Sequence, residues 1–129
     1  MPAYEETLRG ANNYVVGLIV LERFEEGKSL MREIIPVAQR VVGESNELML
    51  NMRSLYADAL HLDPAATLDD LREAVTTLEE IEPTARRVLG GAHPTTTLID
   101  VSLRRSLVTL GAALRARDTP SLPENAADD

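Results

Sequence analysis

The sequence has no cysteine and no tryptophan, a single phenylalanine (Phe24), and only 3% aromatic residues. Without cysteine there is neither a disulfide framework nor a thiolate metal site, which agrees with a reducing compartment. Without aromatics the core must be filled by Leu, Val, Ile, Ala and Met, a set that suits helix-on-helix packing better than a sheet sandwich. Positive charge is scarce too, since 13 Lys and Arg stand against 21 Asp and Glu for a formal net charge of −8. A phosphate backbone or an anionic membrane demands a positive face, so neither nucleic acid nor membrane is an expected partner. The longest apolar run, residues 14–21, is far short of the roughly 20 residues that span a bilayer, and residues 1–6 have no basic leader-like start. With 129 residues the chain is expected to form one soluble, cytoplasmic domain.

What the sequence does contain is an internal repeat. Ile34-Ile35-Pro36-Val37-Ala38-Gln39-Arg40-Val41-Val42-Gly43 returns as Ile81-Glu82-Pro83-Thr84-Ala85-Arg86-Arg87-Val88-Leu89-Gly90, an offset of 47 between Gly43 and Gly90. The same offset pairs Phe24 with Leu71, Gly27 with Ala74 and Met31 with Leu78. Farther upstream the offset is 42, pairing Leu8 with Leu50, Tyr14 with Tyr56 and Leu18 with Leu60. The difference is absorbed around Asp63-Pro64-Ala65-Ala66-Thr67, in a loop, where insertion adds little closure entropy.

Apolar spacing and terminal signals predict five helices: α1 over about residues 5–22, α2 over 24–42, α3 up to about 62, α4 ending at 89, and α5 over about 94–117. Gly43 and Gly90 are stop signals for α2 and α4. Ser45 or Asn46 is placed to cap α3, Thr67 with Asp70 forms a capping arrangement for α4, and Pro94 suits the first turn of α5. Pro36 and Pro83 fall inside helices at matching places, so they are expected to be tolerated there. Residues 118–129, with two prolines and acidic groups, are expected to be a disordered tail. The fold class expected is therefore all-α, with repeat units over about residues 8–43 and 50–90 and a partial unit over 94–117. Leu103, Leu107, Leu110 and Leu114 on α5 recur as one buried stripe requires, with arginines giving polar cover, so α5 is expected to cap the stack.

Phe24-Glu25-Glu26-Gly27-Lys28-Ser29-Leu30 followed by Arg40-Val41-Val42-Gly43 resembles the second helix of a tetratricopeptide repeat of the kinesin-light-chain-like kind, usually near "YEEAEPL…KVLG". Arg87-Val88-Leu89-Gly90-Gly91-Ala92-His93-Pro94-Thr95-Thr96 resembles the "LGxxHPxT" link of the same subfamily, and Asn12-Asn13 sits where its first helices often carry paired Asn. The likeness covers about residues 8–117. It implies a superhelical solenoid of two full helical hairpins plus one helix, in which Gly27 and Ala74 take the small-residue position between paired helices. Asn46, where the link usually has His, and a third unit without its second helix depart from the pattern.

The resemblance also implies a function, binding a peptide or helical protein partner in the concave groove formed by the first helix of each unit. Carried over by position, the groove residues are Asn12, Val16 and Ile19 on α1, Ser54, Asp58 and His61 on α2's successor α3, and Ser102, Arg105 and Thr109 on α5. Asn side chains there can hydrogen-bond an extended backbone, although Asn12 and Asn13 facing only water is the plain alternative. Val16 and Ile19 either make the groove apolar or belong to the core of a helix buried on two sides. A rival expectation is a self-associating protein, a homodimer formed through the apolar first helix or the uncapped N-terminal end. No enzyme activity, metal or cofactor is expected. His61 and His93 lie in different links, Gly90-Gly91 after a helix reads as a chain reversal, and no nucleophile sits beside a base. Glu79, Glu80 and Glu82 read as a solvated helix face.

Overall fold

Helix formation in this chain is set by where hydrogen-bonding groups at helix ends find partners. Asn46 accepts a hydrogen bond from the Leu48 N–H (2.8 Å) and so opens α3. At the equivalent link His93 Nδ1 accepts from the Thr95 N–H (3.1 Å) and opens α5 in the same manner. Thr67 and Asp70 form a full capping box at the start of α4. The Thr67 N–H that Asp70 accepts holds its carboxyl below the ordinary value. Gly43 and Gly90 close α2 and α4 with φ of 84° and 93°, backbone that side-chain-bearing residues rarely adopt.

The computed structural model describes residues 2–118. It is all-α, with α1 Pro2–Val20, α2 Phe24–Val42, α3 Glu47–His61, α4 Leu68–Leu89 and α5 Pro94–Asp118, and no strand among the described residues. The expected tail lies outside them except for Asp118, which ends α5. Helix α1 starts earlier than expected, with Pro2 in the first turn where its missing N–H is not needed. It also ends earlier. Glu22 turns left-handed (φ 60°), its N–H bonding the Ile19 carbonyl and the Arg23 N–H the Leu18 carbonyl, a paired closure normally built on glycine.

Both α2 and α4 run through their prolines. Pro36 and Pro83 lie on exposed helix faces, where water can reach the carbonyls of Arg32 and Glu79 that a proline leaves without an N–H.

Helix α3 packs against all four other helices, while the backbones of α2 and α4 do not approach closely, nor do those of α1 and α5; between α2 and α4 only side chains reach across, Arg32 to Glu73 at 3.8 Å. The chain thus zigzags, with α1, α3 and α5 side by side and α2 and α4 filling the other layer. Several positions paired by the repeat share their burial. Val15 and Ala57, Leu18 and Leu60, Met31 and Leu78, and Ala38 and Ala85 are all inside. Gly27 lies between α1 and α3, where an added Cβ would meet Val15 Cγ1 at 3.6 Å and Ala59 Cβ at 3.8 Å.

Lys28 was not singled out by its sequence context, yet it is buried. Its ammonium lies 2.6 Å from Glu25 and 3.8 Å from Asp63, so the longer loop between α3 and α4 supplies part of its countercharge.

Helix α5 packs on α3 and α4, with Leu103 against the core, but the expected single buried stripe of leucines does not form. The buried residues of α5 are Thr95, Thr96, Ile99, Ser102 and Ser106. Leu107 is 46% exposed and Leu103, Leu110 and Leu114 are only half-buried. The spacing is that of a stripe, but among the described residues no further helix covers it.

The equivalent caps yield a first expected result. His93→Ala will lower stability by about 1 kcal/mol, the usual worth of a helix N-cap, whereas His93→Asn, which copies Asn46, will hold it near the parent value. Urea denaturation of the three proteins measures this directly.

Candidate interaction groove

The layer of α1, α3 and α5 presents one side without a covering helix, and a cavity of about 150 Å³ opens there. Asn51, Ser54, Leu55 and Asp58 form its floor from α3. Their spacing puts all four on one helix face. Asn12 and Val16, one turn apart on α1, make one wall, and Leu98 and Ser102, one turn apart on α5, make the other.

The cavity therefore gathers Asn12, Val16, Ser54, Asp58 and Ser102 from the positions expected at the groove. The remaining four lie elsewhere. Ile19 turns inward and packs against the core. His61 is not a groove residue, because its side chain is buried and its Nε2 lies 3.0 Å from Asp58 Oδ1, so it supports the carboxylate from behind. Arg105 and Thr109 are exposed farther along α5, outside the cavity lining, with the Thr109 hydroxyl donating to the Arg105 carbonyl (2.9 Å). Asn51, Leu55 and Leu98 were missed. The i, i+3, i+4, i+7 pattern with Ser54 and Asp58, and the i, i+4 relation to Ser102, are the sequence signals that would have added them.

One polar atom here has no partner. Asn12 Oδ1 is buried and takes no hydrogen bond. Leaving such an acceptor dry and unpaired costs on the order of 1–3 kcal/mol. A donor from a bound molecule, met by rotation of the carboxamide, would recover that cost. Around it the cavity offers aliphatic surface from Val16, Leu55 and Leu98, neutral hydrogen-bonding groups from Asn51, Ser54 and Ser102, and one carboxylate.

A larger cleft of about 460 Å³ opens on the other layer, between α2 and α4, whose backbones stay apart. Its polar groups are already consumed by one another. The Tyr56 hydroxyl donates to Glu73 (2.5 Å) and accepts from Arg32 Nε (3.1 Å), and the Arg32 guanidinium lies 5.7 Å over the Tyr56 ring. Burial, followed by the bond to Glu73, pushes the Tyr56 phenol above its ordinary value, so it stays a donor. Arg53 pairs with Glu80 (2.5 Å), whose side chain stays exposed on the helix face. Glu82 likewise joins Arg86, which reaches on to Asp100 and ties α4 to α5. Such a network holds the two layers together and ties up the charged groups of the cleft, whereas the smaller cavity holds a buried acceptor with no partner and is the better candidate despite its size.

Among the described residues no group of three or more His, Asp and Glu side chains is placed to hold a metal ion, and no helix is long and apolar enough to cross a membrane. No protein-family model, curated protein or solved structure matches this chain.

Proposed function

We propose that this chain is a protein-interaction module of the tetratricopeptide kind, not an enzyme, and that the α1–α3–α5 groove binds an extended peptide segment of a protein partner. The unpaired acceptor of Asn12 beside an aliphatic cavity carries the proposal. The zigzag contact order and the matching glycine-closed links support the repeat assignment. The kinesin-light-chain-like character rests on the link and second-helix residues alone. A cytoplasmic setting belongs to the same proposal, since the chain uses no cysteine that an oxidising compartment would pair.

The recognition chemistry follows from the lining. A main-chain N–H of the peptide meets Asn12, one aliphatic side chain fills the space among Val16, Leu55 and Leu98, and neighbouring backbone groups meet Asn51, Ser54 and Ser102. Asp58 turns away acidic peptides, and no cation lines the cavity to attract them.

Selection of a displayed random-peptide library on the intact protein, followed by calorimetric titration of the winners, provides the test. Val16→Asp and Asn12→Ala should each weaken binding about tenfold or more, about 1.4 kcal/mol per decade. Asn12→Ala should at the same time leave thermal stability equal or higher, because it removes a buried unpaired acceptor. Peptides that bind both variants as well as the parent would refute the groove, as would a library that yields none.

A further inference from the structure

Among the described residues no helix covers either end of the stack, and the two ends differ in charge. At the N-terminal end a shallow apolar depression of about 390 Å³ lies between α1 and α2, floored by Tyr14, Leu18 and Leu30 and rimmed by Glu25, Glu26 and Glu33. None of its lining comes from α3, so it faces away from the rest of the stack. Tyr14 is 57% exposed although its repeat partner Tyr56 is buried under α2 and α4. Glu26 is held by Arg23 (2.6 Å), but Glu33 has no ion-pair partner among the described residues, and Glu25 remains largely open beside Lys28.

At the other end the outer flank of α5 carries Leu107 and Val108, with Arg104 one turn before them. Residues 101–117 hold four arginines and no acid, in a chain whose net charge is −8. Arg104 and Arg105 make no ion pair among the described residues.

We infer that the α5 flank of one copy docks into the α1/α2 depression of the next, so that the protein assembles head to tail. A stack of helical hairpins leaves apolar surface at each end that only a further helix can cover. Here the arginine-flanked leucines of α5 have the shape class and charge to serve as that helix for an acidic, apolar groove. The complementary surface is on the same chain, yet α1 and α5 lie on either side of α3 with no close backbone approach, so one molecule cannot satisfy its own groove. Because the two patches differ, the contact is heterologous. It repeats into longer assemblies unless the rotation closes a ring, and added salt weakens it by screening the Glu–Arg attraction. The inference involves surfaces apart from the peptide groove and stands or falls without it.

Sedimentation velocity on the full chain across a wide concentration range gives the first reading: the average mass should climb past that of a dimer and fall back as salt is added. Tyr14→Glu blocks the acidic end and Leu107→Glu blocks the basic end, both at exposed positions that leave the helical circular dichroism unchanged. Each variant alone should remain monomeric, and an equimolar mixture should form a heterodimer of twice the monomer mass, since it retains one good head and one good tail. Arg104→Glu should weaken assembly, and adding Glu33→Arg to the same chain should restore it. A parent protein that stays monomeric throughout, or blocked variants that ignore each other on mixing, overturns the inference.

Discussion

Leu60→Ala is expected to lower the unfolding free energy by about 3 kcal/mol, within the range of about 2–5 kcal/mol seen for leucine truncations in closed cores. Leu60 is fully buried on α3, the one helix that touches the other four, so the lost side chain leaves a cavity that no single neighbour can move to fill. The same truncation at Leu107, nearly half of which faces water, should cost less than about 0.5 kcal/mol. Urea denaturation midpoints with unchanged slopes would separate the two. Equal effects would mean that α3 is not the centre of the fold.

The second large effect is at Gly27. An added Cβ sits at ordinary contact distance from Val15 and Ala59, so Gly27→Ala fits and gains about 0.5–1 kcal/mol by stiffening a helix interior. That is the residue the repeat already uses at Ala74, which is fully buried. Gly27→Leu has no room for its remaining atoms, and forcing α1 and α3 apart should cost about 2–3 kcal/mol. Thermal melts of both variants give the comparison. A leucine variant as stable as the alanine variant would place Gly27 outside the junction of α1, α2 and α3.

The helices whose ends carry chemistry were the ones legible in advance. Helices α2 and α4 fall within the expected bounds because glycine at each C-terminus and the Thr67–Asp70 capping box are local devices, complete within a few residues of chain. The end of α1 was not legible. Glutamate at position 22 takes a left-handed turn without the glycine that normally announces it, and packing of α2 against α1 holds it there. His61 shows the same limit at the groove. It lies three residues from Asp58, so their spacing put both on one face, but 60° of helix rotation separates a side chain lining the cavity from one buried behind it.

The sequence by itself determined the five helices of the described residues and where α2, α3 and α4 stop, because periodicity, caps and helix-breaking residues act over a single turn. Which apolar surface is covered was decided only by the tertiary structure. The leucines of α5 have the spacing of a buried stripe, yet none is fully buried and Leu107 is 46% exposed, since burial depends on a neighbouring helix and not on the stripe itself. The unpaired oxygen of Asn12, the burial of Lys28 and the opposite charges of the two stack ends likewise exist only once helices distant in sequence are brought side by side.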